Sequence, residues 1–205
     1  MKETHDTHGF KIDSSLTRRS STVATYANLA HAYRRYLQGD TPPKEILDYG
    51  AGHGKGTSYL RDTFPSSRVT GYDPYESEDE SILTCLPLDK KYDLVFCVYV
   101  LNVLEPHERA HVVKEIQSRL TPGGVAIFHT RSFYGEIELI KTGIHANERN
   151  AYYVPQGKEL YTYQKGYDFL DLALELDWHL KESSHPLLVK QSNGTTAYYK
   201  KGIKE

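Results

Sequence analysis

Cysteine is scarce: Cys85 and Cys97 are the only two in 205 residues. They form no C-x-x-C pair, which excludes a disulfide framework. No apolar run approaches the roughly 20 residues that a membrane span needs. The opening residues, MKETHDTHGF, lack the apolar centre of a signal peptide. A reducing, cytoplasmic location is the expectation. The net charge is only -2, so no global basic field advertises nucleic-acid binding. Internal repeats and low-complexity segments are also missing. Tryptophan occurs once and phenylalanine six times, while tyrosine occurs 17 times. Tyrosine brings apolar area with a polar handle, which suits half-wet clefts as well as cores.

The length fits one domain with a real core and is short for two. Charge is uneven along it. Lys11, Arg18, Arg19, Arg34 and Arg35 make the first stretch basic, and Glu76, Glu78, Asp79 and Glu80 make a later loop acidic. Both read first as solvated surface.

Residues 1–20 look irregular, and helical spacing of apolar residues predicts a helix over 21–37. From residue 45 strands and helices alternate. EILDY is a short buried strand ending at glycines, and 55–64 reads as a helix stopped before Pro65. RVTGYD (68–73) is a second strand and SILTCLP holds a weak third. YDLVFCVYV (92–100) is a valine-rich run suited to a central strand covered on both faces. Pro106 opens a helix to about Leu120, T-P-G-G stops it, and VAIFH (125–129) is another buried strand. Such alternation predicts a parallel sheet wound with right-handed crossovers. Beyond it lie a tyrosine-rich hairpin over 151–164, an amphipathic helix over 167–178, and two strands flanking Asn193-Gly194.

The turn ILDYGAGHGKGT (46–57) carries glycines at 50, 52 and 54. A phosphate-binding P-loop would need glycine at Tyr49 and a hydroxyl at Gly56; a dinucleotide fingerprint would need glycine at Lys55. A nucleoside ligand without phosphate fits better. The glycines let backbone approach it closely. Asp48, at the strand end, suits a positively charged ligand group, and Asp73, ending the second strand, suits both ribose hydroxyls. The bland alternative for either aspartate is a turn or helix cap.

D-x-G-x-G after the first strand, an acidic residue ending the second, Y-D-L-V-F on the fourth and L-x-P-G-G before the fifth resemble a class I S-adenosylmethionine-dependent methyltransferase. The resemblance covers about residues 44–200. It implies an α/β, Rossmann-like doubly wound, mostly parallel sheet in a single domain, with the C-terminal hairpin strand antiparallel at one edge. A helical cap segment over 1–43 and a lid-like insertion near 131–165 flank this core. The resemblance also implies that Asp48, Gly50, Ala51 and Gly52 line the methionine part of the cofactor. Asp73 takes the ribose, Tyr72 and Pro74 flank it, and backbone near Leu83 or Thr84 reaches the adenine. Tyr49 and Val98, on the first and fourth strands, count with these cofactor-side residues. The family often carries an aspartate where this chain has Ile82-Leu83-Thr84. A narrower likeness, in R-R-S, G-Y-D-P-Y and Y-V-L-N-V-L-E, is to methyltransferases linked to DNA phosphorothioation in bacteria and phages.

Residues 107–111, HERAH, match the H-E-x-x-H pattern of zinc proteases. On a helix His107 and His111 fall well away from the apolar face of Val112, Val113, Ile116 and Leu120, so they are expected to face water. No third ligand is selected, and no metal is expected.

Methyl transfer from a sulfonium is an in-line displacement in which the protein mainly positions the acceptor and excludes water. A loud catalytic motif is therefore not required. D-P-Y at 73–75 looks like a DNA amino-methyltransferase motif but ends the wrong strand. The residues expected to act lie at the carboxyl ends of strands four and five: Tyr99, Asn102, His129 and Arg131. Tyr152, Tyr153, Tyr161 and Tyr163 are placed either to stack on a flat substrate or to pack a hairpin. The basic first stretch and the tyrosines favour a nucleic-acid or nucleotide acceptor slightly over a small metabolite.

Overall fold

The computed structural model describes residues 4–5, 10–17, 23–75, 79–133, 142–157, 159–180, 187–191 and 194–202. Arg18, Arg19, Glu76, Glu78, Asn193 and the 134–141 part of the expected lid lie outside the described residues.

Short strands β1 (Thr4–His5) and β2 (Lys11–Ile12) lead to a 3-10 turn at Ser14–Thr17 and helix α1 (Val23–Tyr36). Then β3 (Glu45–Tyr49), α2 (Lys55–Thr63), β4 (Arg68–Tyr72) and β5 (Ile82–Leu83) follow. β6 (Tyr92–Val98) passes through a turn at Leu101–Val103 into α3 (Pro106–Arg119) and β7 (Leu120–Thr130). The last third holds β8 (Ile144–His145), β9 (Ala151–Pro155), β10 (Leu160–Lys165), α4 (Phe169–Leu180), β11 (Leu187–Gln191) and β12 (Gly194–Lys200).

Seven strands form the main sheet in the order β11-β12-β7-β6-β3-β4-β5. β3, β4, β5, β6 and β7 pair in parallel, while β12 runs antiparallel to β7. This is the expected doubly wound sheet with its antiparallel edge hairpin. Because a strand points alternate residues to opposite faces, β6 serves two cores at once. Val95 and Cys97 pack with α3 and α4, on Val112, Val113, Ile116, Leu172 and Leu176. Leu94, Phe96 and Val98 pack with α1 and α2, on Tyr26, Leu29, Tyr33 and Leu60. The helix of the N-terminal cap segment thus shares a core with the sheet.

Two local expectations change. T-P-G-G does follow the end of α3, but the strand starts at once at Leu120 and bulges. Pairing moves from Leu120 with Tyr92 to Val125 with Leu94, so five steps on β7 match two on β6. Gly123 takes up the bend at φ 78°. The first stretch, expected to be irregular, contributes β2, which pairs in parallel with β10 through Lys11 with Leu160 and Ile12 with Tyr161. A second sheet results, ordered β1-β2-β10-β9-β8. Strands from the cap segment and from the lid-like insertion thus pair in one layer. Its small core holds Ile12, Ala146, Ala151, Tyr153 and Tyr163, with Phe10 stacked on Tyr161 at 4.4 Å. Tyr153 and Tyr163 pack a hairpin rather than face a ligand. β10 lies against the Leu101–Val103 turn, which sets this layer beside the carboxyl end of β6.

Candidate functional site

Strand order reverses between β3 and β6, and open α/β sheets bind ligands in the crevice outside such a reversal. The ends of β3, β4, β6 and β7 bring Asp48, Asp73, Tyr99 and His129 to this side of the sheet. The turn after β3 holds Gly50, Gly52 and Gly54 at φ 76°, 58° and 79°. Its first two amides, Gly50 N–H and Ala51 N–H, both donate to the carbonyl of Tyr72, at 2.7 and 2.9 Å. A Cβ on Gly50 would stand 2.3 Å from Cγ2 of Val100, so only glycine lets the loop lie against the chain leaving β6.

Asp73 is 5 % exposed. Its Oδ2 accepts from Gly52 N–H at 2.9 Å and its Oδ1 from Tyr75 N–H at 3.1 Å. Its own N–H donates to the carbonyl of Leu83 at 3.0 Å. The carboxylate expected to take a ribose is thus seated directly on the glycine loop. β5 supports it, and the Leu83 carbonyl is engaged there. Leu83, Thr84 and Pro74 are exposed beside it. Tyr72 is half-buried, with its ring edge-on to Tyr49 at 4.9 Å. Tyr75 O–H pairs with Ser14 Oγ, so the first segment reaches the same place.

Three expectations need correction. Asp48 does not meet a ligand directly: it is wholly buried, and its two oxygens accept from Tyr26 O–H at 2.6 Å and Thr57 O–H at 2.7 Å. Burial raises its pKa to about 6 against these two hydrogen bonds. Tyr49 turns its side chain toward α3, where its hydroxyl donates to Glu115 at 2.7 Å, so only its backbone belongs to the loop. Val98 is buried among the residues under α1 and α2.

The Tyr26 ring explains Gly56. A Cβ there would lie 2.2 Å from Cζ of Tyr26. Glycine to alanine inside a helix ordinarily stabilises by about 0.5–1 kcal/mol. Here overpacking wins: Gly56→Ala is expected to cost about 1–3 kcal/mol, lowering Tm by several degrees in thermal denaturation.

On the acceptor side, Tyr99 adopts φ 59°, a left-handed conformation uncommon for an aromatic residue. Its N–H donates to the carbonyl of His129 at 2.7 Å, and its ring meets His129 edge-on at 4.9 Å. That kink ends β6 two residues before the expected strand end. Its hydroxyl lies 3.4 Å from Thr25 Oγ1. His129 is 2 % exposed, with Nδ1 at 2.8 Å from Thr196 Oγ1. Burial pushes its pKa down to about 4, so it is neutral at pH 7. Asn102 is 1 % exposed, and its Oδ1 has no partner among the described residues. Arg131 is half-buried, and its carbonyl accepts from Tyr167 N–H. The structure brings Tyr99 and His129 together.

His107 and His111 are exposed on α3, as their helical positions predict. Replacing both by alanine is expected to leave Tm within about 1 °C and to remove no zinc response, checked by thermal shift with and without zinc. Arg109 between them is the surprise, for it is 2 % exposed. Its guanidinium donates to the Leu104 carbonyl (2.8 Å), Tyr163 O–H (3.2 Å), Glu148 (2.6 Å) and Glu175 (2.5 Å). It ties α3 to α4, to the second sheet and to the turn after β6. Sequence reading missed Tyr26, Thr57 and Arg109. The one local cue for Tyr26 is a polar-tipped aromatic on the buried face of α1, with Leu29, Ala30 and Tyr33.

A crevice at the strand-order reversal of a Rossmann-like sheet is what these elements define. The Asp73 carboxylate beside a glycine turn suits a ribose-bearing group. Residues 23–174 match the Methyltransferase domain family, and the chain belongs to that family. It is similar to the tRNA U34 carboxymethyltransferase of Nautilia profundicola, 27 % identical in an alignment of length 148 that covers 63 % of this chain and 48 % of the relative. It is also similar to the trans-aconitate 2-methyltransferase of Variovorax paradoxus, 28 % identical in an alignment of length 120 that covers 45 % of this chain and 46 % of that one. The chain thus spans about half the length of these curated relatives. The Burkholderia thailandensis 1,6-didemethyltoxoflavin-N1-methyltransferase, solved with 1,6-didemethyltoxoflavin and S-adenosylhomocysteine, shares the fold. Its TM-score is 0.61 at 16 % identity, covering 91 % of this chain and 81 % of that one. The cofactor of this class of methyltransferase is S-adenosylmethionine.

Proposed function

We propose that this chain is an S-adenosylmethionine-dependent methyltransferase acting on a nucleic-acid or nucleotide acceptor. The observation that carries the cofactor assignment is Asp73 bonded to Gly52 N–H at 2.9 Å on the carboxyl side of the strand-order reversal. Asp73 would hold the ribose, with Tyr72 and Pro74 flanking it and backbone near Leu83 and Thr84 beside the base. Gly50, Ala51 and Gly52 would approach the methionine part. When bound, the cofactor supplies a methyl group activated on a sulfonium. The chain's own task is to orient the acceptor in line and keep water out.

We assign Tyr99, Asn102 and Arg131 to the acceptor side. His129, neutral and hydrogen-bonded to Thr196, positions Tyr99 rather than acting as a strong base. β10 of the second sheet lies against the Leu101–Val103 turn on this side. The acceptor lean rests on the tRNA-modifying relative, on partly exposed Tyr152 and Tyr161, on exposed Arg34 and Arg35, and on the narrower phosphorothioation-linked likeness. The trans-aconitate relative favours a small carboxylic acid as the second reading.

Calorimetric titration with S-adenosylmethionine and S-adenosylhomocysteine, followed by S-adenosylhomocysteine release assays, tests this. The acceptor panel is tRNA, DNA, nucleotides and small polycarboxylic acids. Micromolar binding with turnover on a polynucleotide or nucleotide supports the proposal. Turnover only on small acids selects the second reading. Cofactor consumption without an acceptor points to a cleaving enzyme, and binding without turnover to a non-catalytic nucleoside module. No binding of either ligand sinks the methyltransferase reading.

A further inference from the structure

One turn of α1 touches both halves of the crevice. Thr25 Oγ1 lies 3.4 Å from the Tyr99 hydroxyl, and the next residue, Tyr26, donates to Asp48 Oδ1 at 2.6 Å. Tyr26 is 1 % exposed and its ring occupies the space that Gly56 leaves open. Resting on the cofactor reading above, we infer that Tyr26 is a positioning residue for the cofactor loop. Its hydroxyl keeps the Asp48 carboxylate ionised beneath the glycines, and so sets the pH range in which a cationic ligand is held.

The geometry leaves Asp48 little other support. It is wholly buried under the turn it precedes, and it carries its charge without a buried basic partner among the described residues. From α1 it faces Tyr26; from α2, Thr57 at 2.7 Å and the exposed Arg61; from the end of β4, Asp73; from β6, Cys97. Burial raises the Asp48 pKa to about 6, Tyr26 and then Thr57 lower it, Asp73 raises it and Arg61 lowers it. The Cys97 thiol is itself pushed up, first by burial and then by Asp48, and stays neutral.

The direction follows. A cation above the loop favours the ionised carboxylate, so affinity is full above that pKa and falls as pH drops through it. Removing the Tyr26 hydroxyl deletes a lowering contribution. The titration then moves up, and affinity is lost at a higher pH.

The experiment uses the full chain as wild type, Tyr26→Phe, Thr57→Val and Thr57→Ser. Tyr26→Phe keeps the packing ring. The Asp48 carboxyl is followed by 13C NMR through a pH titration without ligand, assigned with Asp48→Asn. S-adenosylmethionine and S-adenosylhomocysteine are titrated calorimetrically from pH 6 to 9. The expected result is an upward move of the Asp48 midpoint in Tyr26→Phe and Thr57→Val, with Thr57→Ser close to wild type. In Tyr26→Phe, S-adenosylmethionine should bind on the order of fivefold more weakly at pH 7 and within about twofold of wild type at pH 9. S-adenosylhomocysteine, which lacks the sulfonium charge, should change less. An unmoved Asp48 midpoint, or an equal affinity loss at every pH, overturns the inference. If the midpoint moves but wild type binds neither ligand, the Tyr26–Asp48 coupling stands and the cofactor reading falls.

Discussion

Arg109→Met should lower stability by about 3–5 kcal/mol, which for a chain of this size moves Tm on the order of 10 °C. Methionine fills much of the space but leaves Glu148 and Glu175 facing each other with one cation fewer. Lys165 remains, bonded to Glu148 and at 3.4 Å from Glu175. Burial alone would raise the Glu148 pKa; Arg109 and then Lys165 hold it below the ordinary carboxylate value. A depressed pKa contributes stability above the unfolded value that is lost as pH falls through the folded one. Wild type should therefore shed part of this stabilisation on acidification, and Arg109→Met should show less of that slope. Exposure decides the magnitude. The Arg149–Asp168 pair, with its arginine side chain 68 % exposed, should contribute under about 1 kcal/mol when Arg149→Met is measured. The Arg109 side chain is 2 % exposed and has no such screening. Combining Arg109→Met with Glu148→Gln and Glu175→Gln should recover part of the loss, because the uncompensated charges go too. Hydrogen exchange should rise first in β9 and β10, which Arg109 seats through Tyr163. A Tm within about 2 °C of wild type would show that Arg109 is a bystander.

Asp73→Ala is the second large effect, expected to weaken S-adenosylmethionine at least tenfold, about 1.4 kcal/mol or more. Two losses combine. The ribose acceptors go, and Gly52 N–H and Tyr75 N–H lose the carboxylate that orders the glycine turn. Asp73→Asn separates them, since its amide oxygen still accepts one N–H; its loss should fall between wild type and alanine. Calorimetry measures the affinity, and thermal denaturation of each free variant reports how much of the change is loop order. Wild-type affinity in Asp73→Ala would remove Asp73 from the site. S-adenosylhomocysteine shares the ribose and should weaken in parallel.

How much of this was legible in the chain follows from the range of each interaction. Strand and helix positions in the main sheet were readable because apolar period, glycine turns and Pro106 act over a few neighbours. β6 reads as a buried strand because every residue from Leu94 to Val98 is buried, on alternating faces. The place of Asp73 was readable because a strand end and a preceding glycine turn locate it; its seat on Gly52 N–H was not. The second sheet was less so: β2 has two residues, too few to show a period, and exists because β10 offers it an edge.

The sequence by itself determined the alternation of strands and helices, the glycine turn, the acidic strand ends and the outward histidines of HERAH. Tertiary structure alone decided what the polar groups do. Asp48 is sealed by Tyr26 from 22 residues upstream, and Arg109 is buried by Glu175 from 66 residues downstream. Neither partner leaves a mark on the local pattern. A carboxylate at a strand end reads the same whether it faces a ligand or a hydroxyl, and an arginine on a helix reads as solvated. Only folding brings the distant hydroxyls and carboxylates within reach, where burial makes pairing obligatory.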